Sequence, residues 1–197
     1  MDILSCDHQY RAARDAQGRV RPAVRSSRLD DGGYFFNFEK LLYVRGRHPA
    51  GCILCLARDH SPDVVDLSIW RDDLFVASVN LYPYNPGHLM LYPLRHVEDI
   101  RELTEGEERR LAALQRWLLG ILDRTCSPHA YNIGYNMGAS AGASISHLHL
   151  HIIPRYPRET GIADLIAGKR VLVEDPRETT RRLRECVAQE PFSISSS

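Results

Sequence analysis

The pattern of apolar and polar positions predicts a long amphipathic helix from about Glu105 to Asp123. Apolar residues recur there at the helical period, so one face of the helix is apolar. They are Leu111, Leu114, Leu118, Ile121 and Leu122. Thr104 precedes this segment and Glu107 follows three residues later, which is the spacing of a capping box.

A second helix is predicted close to the C-terminal end of the chain. Asp175 can cap its first turn, and Pro176 suits the first helical position. Glu178 follows the cap at capping-box spacing. The sequence therefore predicts a helix that begins at about residue 176.

Several short segments have the composition of β-strands. "LSIWRDDLFVASVNLYPYNPGHLMLYPLRH", residues 67–96, predicts three strands, with a turn at Asp72 and Asp73. "AYNIGYNMG" and "HLHLHIIP" predict two more, and we expect Pro154 to end the last one. This order of elements predicts an α+β fold with a mainly antiparallel, five-stranded sheet, the long helix and the C-terminal helix.

The ends of the chain differ from its middle. Residues 1–33 are polar and rich in arginine, aspartate and glycine, which predicts an N-terminal extension. We expect one domain over residues 34–190 and a tail over 191–197. Helix and strand remain open for "YFFNFEKLLYVRG", residues 34–46, and "GCILCLARD", residues 51–59, is predicted to be turn-like.

Composition and charge limit the class of protein. The chain has 44% apolar residues, 25% charged residues and a formal net charge of zero. Such a balance does not favour nucleic acid or an anionic membrane as a partner. We find no signal peptide and no apolar run of membrane-spanning length, so we expect a cytoplasmic protein.

The segment "HLHLH" carries the candidate chemistry, because it places His147, His149 and His151 at every second position. On an extended strand these three side chains would share one face. The first and third would then be roughly 13 Å apart along the backbone, too far for all three imidazoles to bind one zinc ion comfortably. We therefore expect the three histidines to do different jobs.

The loop before these histidines favours a bound phosphate. "NMGASAGAS", residues 136–144, offers small side chains, backbone amides and the hydroxyl of Ser144. A neutral imidazole beside such donors could attack phosphorus, and donors of this kind would stabilise the transferring group. The sequence thus favours phosphoryl or nucleotidyl transfer.

Two of these segments resemble the histidine triad (HIT) superfamily of nucleotide hydrolases and transferases. "HLHLHII" is similar to its His-φ-His-φ-His-φ-φ signature, and "NLYPYNPGHLMLYPLRHVED" to its second segment. The likeness covers about residues 52–158, and the end of the chain resembles a prokaryotic branch near the diadenosine polyphosphate hydrolases and phosphorylases. The resemblance implies a HIT-like fold and a homodimer.

The resemblance also implies roles for individual residues. His149 would attack the α-phosphorus of a dinucleoside polyphosphate and carry the nucleotidyl group covalently. Asn80 would contact the ribose. The residues that would contact the phosphates are His88, Asn136, Gly142, Ser144 and His151. Water, or phosphate in a phosphorylase, would release the nucleotide.

A structural zinc ion is implied as well. Cys52 and Cys55 form a C-x₂-C half-site, which alone is a weak signal and could be two buried cysteines. In zinc-bearing relatives the other two ligands match His96 and His147, while His48 and His60 remain alternative ligands.

One position departs from the family pattern and keeps alternatives open. Many members have glutamine four residues before the first histidine of the triad, where this chain has Ala143. This departure puts the exact substrate in doubt, so a nucleoside phosphoramidate hydrolase remains, and it is the one hint of a nucleotide-binding module with little turnover. An enzyme that uses the histidines directly on a catalytic metal is a separate alternative. Asn80 could also serve only as a turn residue, and Ser144 as a cap of its loop.

Overall fold

The structure is a computed structural model, and it describes residues 50–157 and 174–193. The predicted boundary near residue 33, and residues 34–46, lie outside these ranges. The helices are α1 (Ile53–Arg58), α2 (Glu105–Cys126) and α3 (Pro176–Gln189). The strands are β1 (Ser68–Arg71), β2 (Phe75–Val79), β3 (Leu89–Pro93), β4 (Ala130–Tyr135) and β5 (Leu150–Arg155).

The five strands form one antiparallel sheet in the order β1-β2-β3-β5-β4, which confirms the predicted α+β class. β3 pairs with β5 through three residue pairs, from Leu89 opposite Ile152 to Leu91 opposite Leu150. The last strand in sequence therefore lies inside the sheet, between β3 and β4. This position brings the histidine segment next to β3.

The two faces of the sheet have different coverings. On one face, Phe75, Leu89 and Ile152 pack with Leu114 and Leu118 of α2 in the main core. On the other face, Met90 and Tyr92 pack with α1 in a smaller cluster. Because side chains alternate along a strand, His151, which pairs with Met90, lies on this second face.

Both predicted helix starts are confirmed. The Thr104 side chain accepts a hydrogen bond from the Glu107 backbone N–H, and the Glu107 side chain accepts one from the Thr104 N–H. The five apolar residues predicted to line one face of this helix are all buried. Asp175 caps α3, where Pro176 occupies the first position.

Three local predictions are wrong. Residues 53–58, predicted to be turn-like, form the short helix α1. β5 begins at Leu150 rather than at His147, so only one histidine of the triad lies on the strand. β5 also continues through Pro154, which is possible because Pro154 lies beyond the part of β5 that pairs with β3 and there pairs only with Tyr131 of β4.

The start of α2 is also held by an ion pair between the exposed Arg95 and the buried Glu107. The guanidinium of Arg95 donates through Nε and Nη2 to the two carboxylate oxygens of Glu107, at 2.6 and 2.7 Å. Glu107 is only 5% exposed. The Arg95 hydrogen bonds, together with those from Thr104, lower the pKa of Glu107 to about 2.

In the part of the chain described, no helix is long and apolar enough to cross a membrane.

We predict that Glu107→Gln destabilises the protein at pH 7 by about 1–2 kcal/mol, because it removes the charge of a buried carboxylate that accepts hydrogen bonds from Arg95 and Thr104. Since the folded-state pKa of Glu107 is lowered, its contribution is present above pH 4.5 and is lost as the pH falls towards 2. Urea unfolding at pH 7 and pH 3 measures both effects. Glu105→Gln is the control, since Glu105 pairs with Arg109 at the exposed surface. Equal effects of the two variants at pH 7 would contradict the prediction.

Candidate active site and metal centre

A cavity of about 280 Å³ lies on the second face of the sheet. Its apolar wall comes from α1, from the segment before β1 and from β3. These residues include Ile53, Leu54, Val64, Val65, Leu67 and Met90. At its polar end the cavity is lined by Asn136, Gly142, Ser144, His149 and His151. An apolar chamber with a polar end is suited to a ligand with a flat apolar part and a charged part.

The His149 imidazole is held in one tautomer. Its Nδ1 lies 2.6 Å from the backbone oxygen of His147. A carbonyl oxygen only accepts, so Nδ1 carries the proton and Nε2 of the neutral ring has a free lone pair. Burial lowers the pKa of His149, which keeps the ring neutral. The geometry gives this histidine the electronic form that a nucleophile needs.

His151 and His88 form a second pair. The backbone N–H of Tyr84 donates to Nδ1 of His88 at 3.1 Å, so the proton of a neutral His88 ring is on Nε2. That Nε2 lies 3.0 Å from Nδ1 of His151, which must accept. The proton of a neutral His151 ring is therefore on Nε2. His88 itself is fully buried beside His151 and is not among the residues that line the cavity.

The loop between β4 and β5 places small and polar residues beside these rings. Asn136, Gly142 and Ser144 line the cavity, and Ser144 is exposed. Gly142 has a φ of +86°, in the left-handed region that glycine adopts without strain. The structure thus brings the predicted phosphate donors to the same cavity as His149.

Asn80 has a structural contact as well as a place on the cavity wall. Its Oδ1 accepts a hydrogen bond from the Tyr82 backbone N–H at 2.9 Å, which is an Asx turn. The turn interpretation of Asn80 is therefore confirmed. Asn80 also lines the cavity, so the turn does not exclude a contact with a ligand.

Cys52, Cys55, His96 and His147 form a cluster that could bind a metal ion. Sγ of Cys52 lies 3.4 Å from Nδ1 of His147, and Sγ of Cys55 lies 3.4 Å from Nδ1 of His96. Cys55 Sγ and His147 Nδ1 are 3.6 Å apart. For a tetrahedral ion with metal–sulfur and metal–nitrogen distances of about 2.3 and 2.0–2.1 Å, sulfur–nitrogen edges are about 3.5 Å. These three separations match such an ion, and all four donor atoms lie within 4.8 Å of one another.

Burial and neighbouring ligands shift the pKa values of two members of this cluster. Burial and Cys52 raise the pKa of the Cys55 thiol to about 11, and burial lowers the pKa of His147 to about 4. His147 donates from Nε2 to the Pro93 carbonyl at 2.9 Å, which leaves Nδ1 as the ligand atom. A bound cation would favour the thiolate and the neutral imidazole.

The alternative ligand His60 is not part of the cluster. His60 lies beside Asp66, with Nδ1 3.4 Å from a carboxylate oxygen. His48 lies outside the described residues. Of the two triad positions that precede β5, His147 contacts the cysteines and His149 faces the cavity.

Sequence reasoning missed most of the cavity wall. Tyr92 is 1% exposed and lines the cavity together with Ser78 on the neighbouring strand. Val64 and Val65 complete the wall from a segment outside the sheet. The apolar pair of valines and the alternation along β3 were signals in the sequence, but only the paired strands show which face they line.

Fold and site together define a class of protein, one with a histidine triad at a cavity on an antiparallel sheet. A family model described as the HIT domain matches residues 62–158. A Mycobacterium tuberculosis protein named AP-4-A phosphorylase is 38% identical over 130 residues, which cover 66% of this chain and 67% of that protein. The chain belongs to the HIT family.

Two further comparisons agree. A Schizosaccharomyces pombe protein named asymmetrical bis(5'-nucleosyl)-tetraphosphatase is 36% identical over 97 residues, 49% of this chain and 53% of that protein. The crystal structure of a Zn-bound histidine triad family protein from Mycobacterium smegmatis has a TM-score of 0.58 at 23% identity. The superposition covers 71% of this chain and 94% of the Mycobacterium smegmatis chain, and this likeness confirms the fold.

We predict that the His151 ring stays neutral from pH 8 to pH 5, because burial lowers its pKa to about 4. Nitrogen NMR of ¹⁵N-histidine-labelled protein measures the protonation of each ring, and the spectrum of His151→Gln assigns the signal. A titration midpoint near 6.5, the ordinary value for histidine, would contradict this prediction.

Proposed function

We propose that the protein is a hydrolase or phosphorylase that cleaves a dinucleoside polyphosphate, such as diadenosine tetraphosphate, at an α-phosphate. One observation carries the proposal: the bond from His149 Nδ1–H to the His147 carbonyl leaves Nε2 as a nucleophile at the polar end of the cavity. The names of the Mycobacterium tuberculosis and Schizosaccharomyces pombe relatives support this substrate class.

The proposed reaction has two transfers at phosphorus. His149 Nε2 attacks the α-phosphorus, a P–N bond forms, and the P–O bond to the remaining polyphosphate breaks. His151 carries its proton on Nε2 and donates a hydrogen bond to the departing oxygen or to a phosphate oxygen. Ser144, Gly142 and Asn136 supply further donors to the phosphate, and Asn80 contacts the ribose. Water or inorganic phosphate then attacks phosphorus, the P–N bond breaks, and His149 leaves as a neutral ring with its proton on Nδ1. The proton of an attacking water passes to solvent.

The cavity supports a nucleotide as the group that is transferred. Its volume of about 280 Å³ is close to the lower end of the range for small-molecule sites, which begins at about 300 Å³. The apolar wall from Leu54 to Met90 would hold the base, while the histidines lie at the polar end. This chain has Ala143 where many relatives have glutamine, so other groups must donate to the phosphate oxygens there. One of them is Nε2–H of His151, because the hydrogen bond from His88 to Nδ1 places the proton of His151 on Nε2.

We also propose that the metal is a structural zinc ion held by Cys52, Cys55, His96 and His147. Two thiolates and two imidazoles are a typical zinc donor set, and four protein ligands leave no open position for a substrate. The ion would join α1 to the segment that carries the triad. His149 and His151 are not members of the cluster, so this proposal disfavours a catalytic metal on the triad.

A cytoplasmic homodimer is the assembly we propose. β4 is an edge strand of the sheet, and its Ile133 is 39% exposed. A sheet edge with an exposed apolar side chain favours pairing with a second chain. The two free thiols beside each other, Cys52 and Cys55, favour a reducing compartment.

We predict that rapid quenching with diadenosine tetraphosphate traps an adenylyl group on His149. Mass spectrometry of the digested protein detects the adduct, and His149→Ala should abolish both adduct and turnover. AMP as product would identify a hydrolase, and ADP formed in phosphate buffer would identify a phosphorylase. His129→Ala is the matched control, because His129 is an exposed histidine outside the cavity lining.

The other outcomes separate the alternatives. Nucleotide binding without adduct or turnover would contradict the proposal and favour a binding module. Turnover of an adenosine phosphoramidate, with none of the dinucleotide, would retain the nucleophile and change the substrate class.

We predict that the purified protein contains one zinc ion per chain and that Cys52→Ala loses it. Metal analysis measures the content, and cobalt substitution reports thiolate ligands through their charge-transfer absorption. Cys186→Ala is the control, because Cys186 lies on α3 outside the cluster. A Cys52→Ala protein that keeps its metal would contradict the proposed ligand set and favour a metal on the triad.

A further inference from the structure

The segment between β2 and β3 carries His88. Two hydrogen bonds, one from the Asn85 side chain and one to the Pro86 backbone carbonyl, join this segment to residues at the end of β5 or just after it. The side-chain amide of Asn85 donates from Nδ2 to the Pro154 carbonyl at 2.7 Å. The hydroxyl of Tyr156 donates to the Pro86 carbonyl at 2.9 Å. The bonds join residues 69 and 70 positions apart in the chain. They connect the segment that carries His88 to the strand that carries His151.

The Asn85 side chain that makes the first of these bonds is buried. It is 5% exposed, and its backbone carbonyl accepts a hydrogen bond from the His88 N–H at 3.1 Å. A buried side-chain amide costs stability unless it is hydrogen-bonded, so its place here indicates a specific contact. The carbonyl that it binds belongs to the part of β5 that does not pair with β3.

Close packing leaves this segment little freedom. Gly87 has a φ of +80°, and a Cβ atom there would lie 3.0 Å from Sγ of Cys126 and 3.2 Å from Pro154. The segment therefore approaches α2 and β5 too closely for a side chain. Because the closely packed segment cannot shift easily, the hydrogen bond between Asn85 and Pro154 also restricts the distance between His88 and β5.

We propose that Asn85 is a positioning residue for the reaction. Its bond to Pro154 holds Nε2–H of His88 within hydrogen-bond distance of Nδ1 of His151. The occupied Nδ1 of His151 then keeps its proton on Nε2, which faces the phosphate site. This proposal rests on the proposed role of His151 as a hydrogen-bond donor to the substrate.

The experiment compares Asn85→Asp, Asn85→Ala and the control Gln189→Ala in the full-length protein. Aspartate has the shape of asparagine but no N–H to donate at neutral pH. Gln189 is an exposed side-chain amide at the end of α3, away from the proposed dimer edge β4 and outside the cavity lining. Tyr156→Phe removes the other tether with one hydroxyl, so it gives a second test if the Asn85 variants do not fold. Thermal unfolding verifies that each variant is folded.

Two readouts are used, and the first needs no substrate. In ¹⁵N-histidine-labelled wild type, we expect a protected Nε2–H signal of His88 with a scalar coupling across the hydrogen bond to Nδ1 of His151. In folded Asn85 variants, or in Tyr156→Phe, we expect this coupling to be lost or the proton to exchange faster with water. The control should retain both.

The second readout is turnover of diadenosine tetraphosphate. We expect kcat to fall about tenfold in the Asn85 variants with KM changed less than about twofold, because positioning of a donor acts on the transition state. An unchanged coupling together with wild-type kcat in folded variants would overturn the proposal. If wild type shows the coupling but never cleaves the dinucleotide, the proposed substrate fails while the positioning of His151 by Asn85 is still tested by NMR.

Discussion

The site depends on one constraint, namely that backbone groups, directly or through His88, fix which nitrogen of each triad imidazole carries the proton. A carbonyl can only accept and an N–H can only donate, so one such contact determines the tautomer of a neutral ring. The Pro93 carbonyl binds Nε2–H of His147, and the His147 carbonyl binds Nδ1–H of His149. Adjacent members of one motif therefore present opposite nitrogens, Nδ1 to the cysteines and Nε2 to the cavity.

This constraint explains why three histidines at alternate positions need not share a task. The sequence argument from strand spacing predicted separate jobs, but it assumed an extended strand from the first histidine. In the structure the strand begins only at Leu150, and the backbone before it turns enough for the His147 carbonyl to meet the ring of His149. The separation of tasks is thus a property of an irregular segment that leads into a regular strand.

Features with local causes could be predicted from the sequence, and those with distant causes could not. The start of α2 at Thr104 depends on residues three positions apart, and the apolar stripe on one helical period. The extension of β5 through Pro154 depends instead on where β3 begins. The role of Asn85 was hidden for the same reason, because its acceptor lies 69 residues away. The family resemblance identified the histidines but not the contacts that orient them.

His147 links the metal cluster to the cavity residue His149. His147 offers Nδ1 to the cysteines with its side chain and its carbonyl oxygen to His149 with its backbone. Its ring is 2% exposed and is fixed at Nε2 by Pro93, so the ring and the backbone of this residue have little freedom to move separately. A metal ion that fixes the positions of the four ligands would therefore also fix the His147 carbonyl, which accepts the hydrogen bond from Nδ1 of His149. A structural ion away from the substrate would in this way contribute to the geometry of the reaction without contacting a reacting atom.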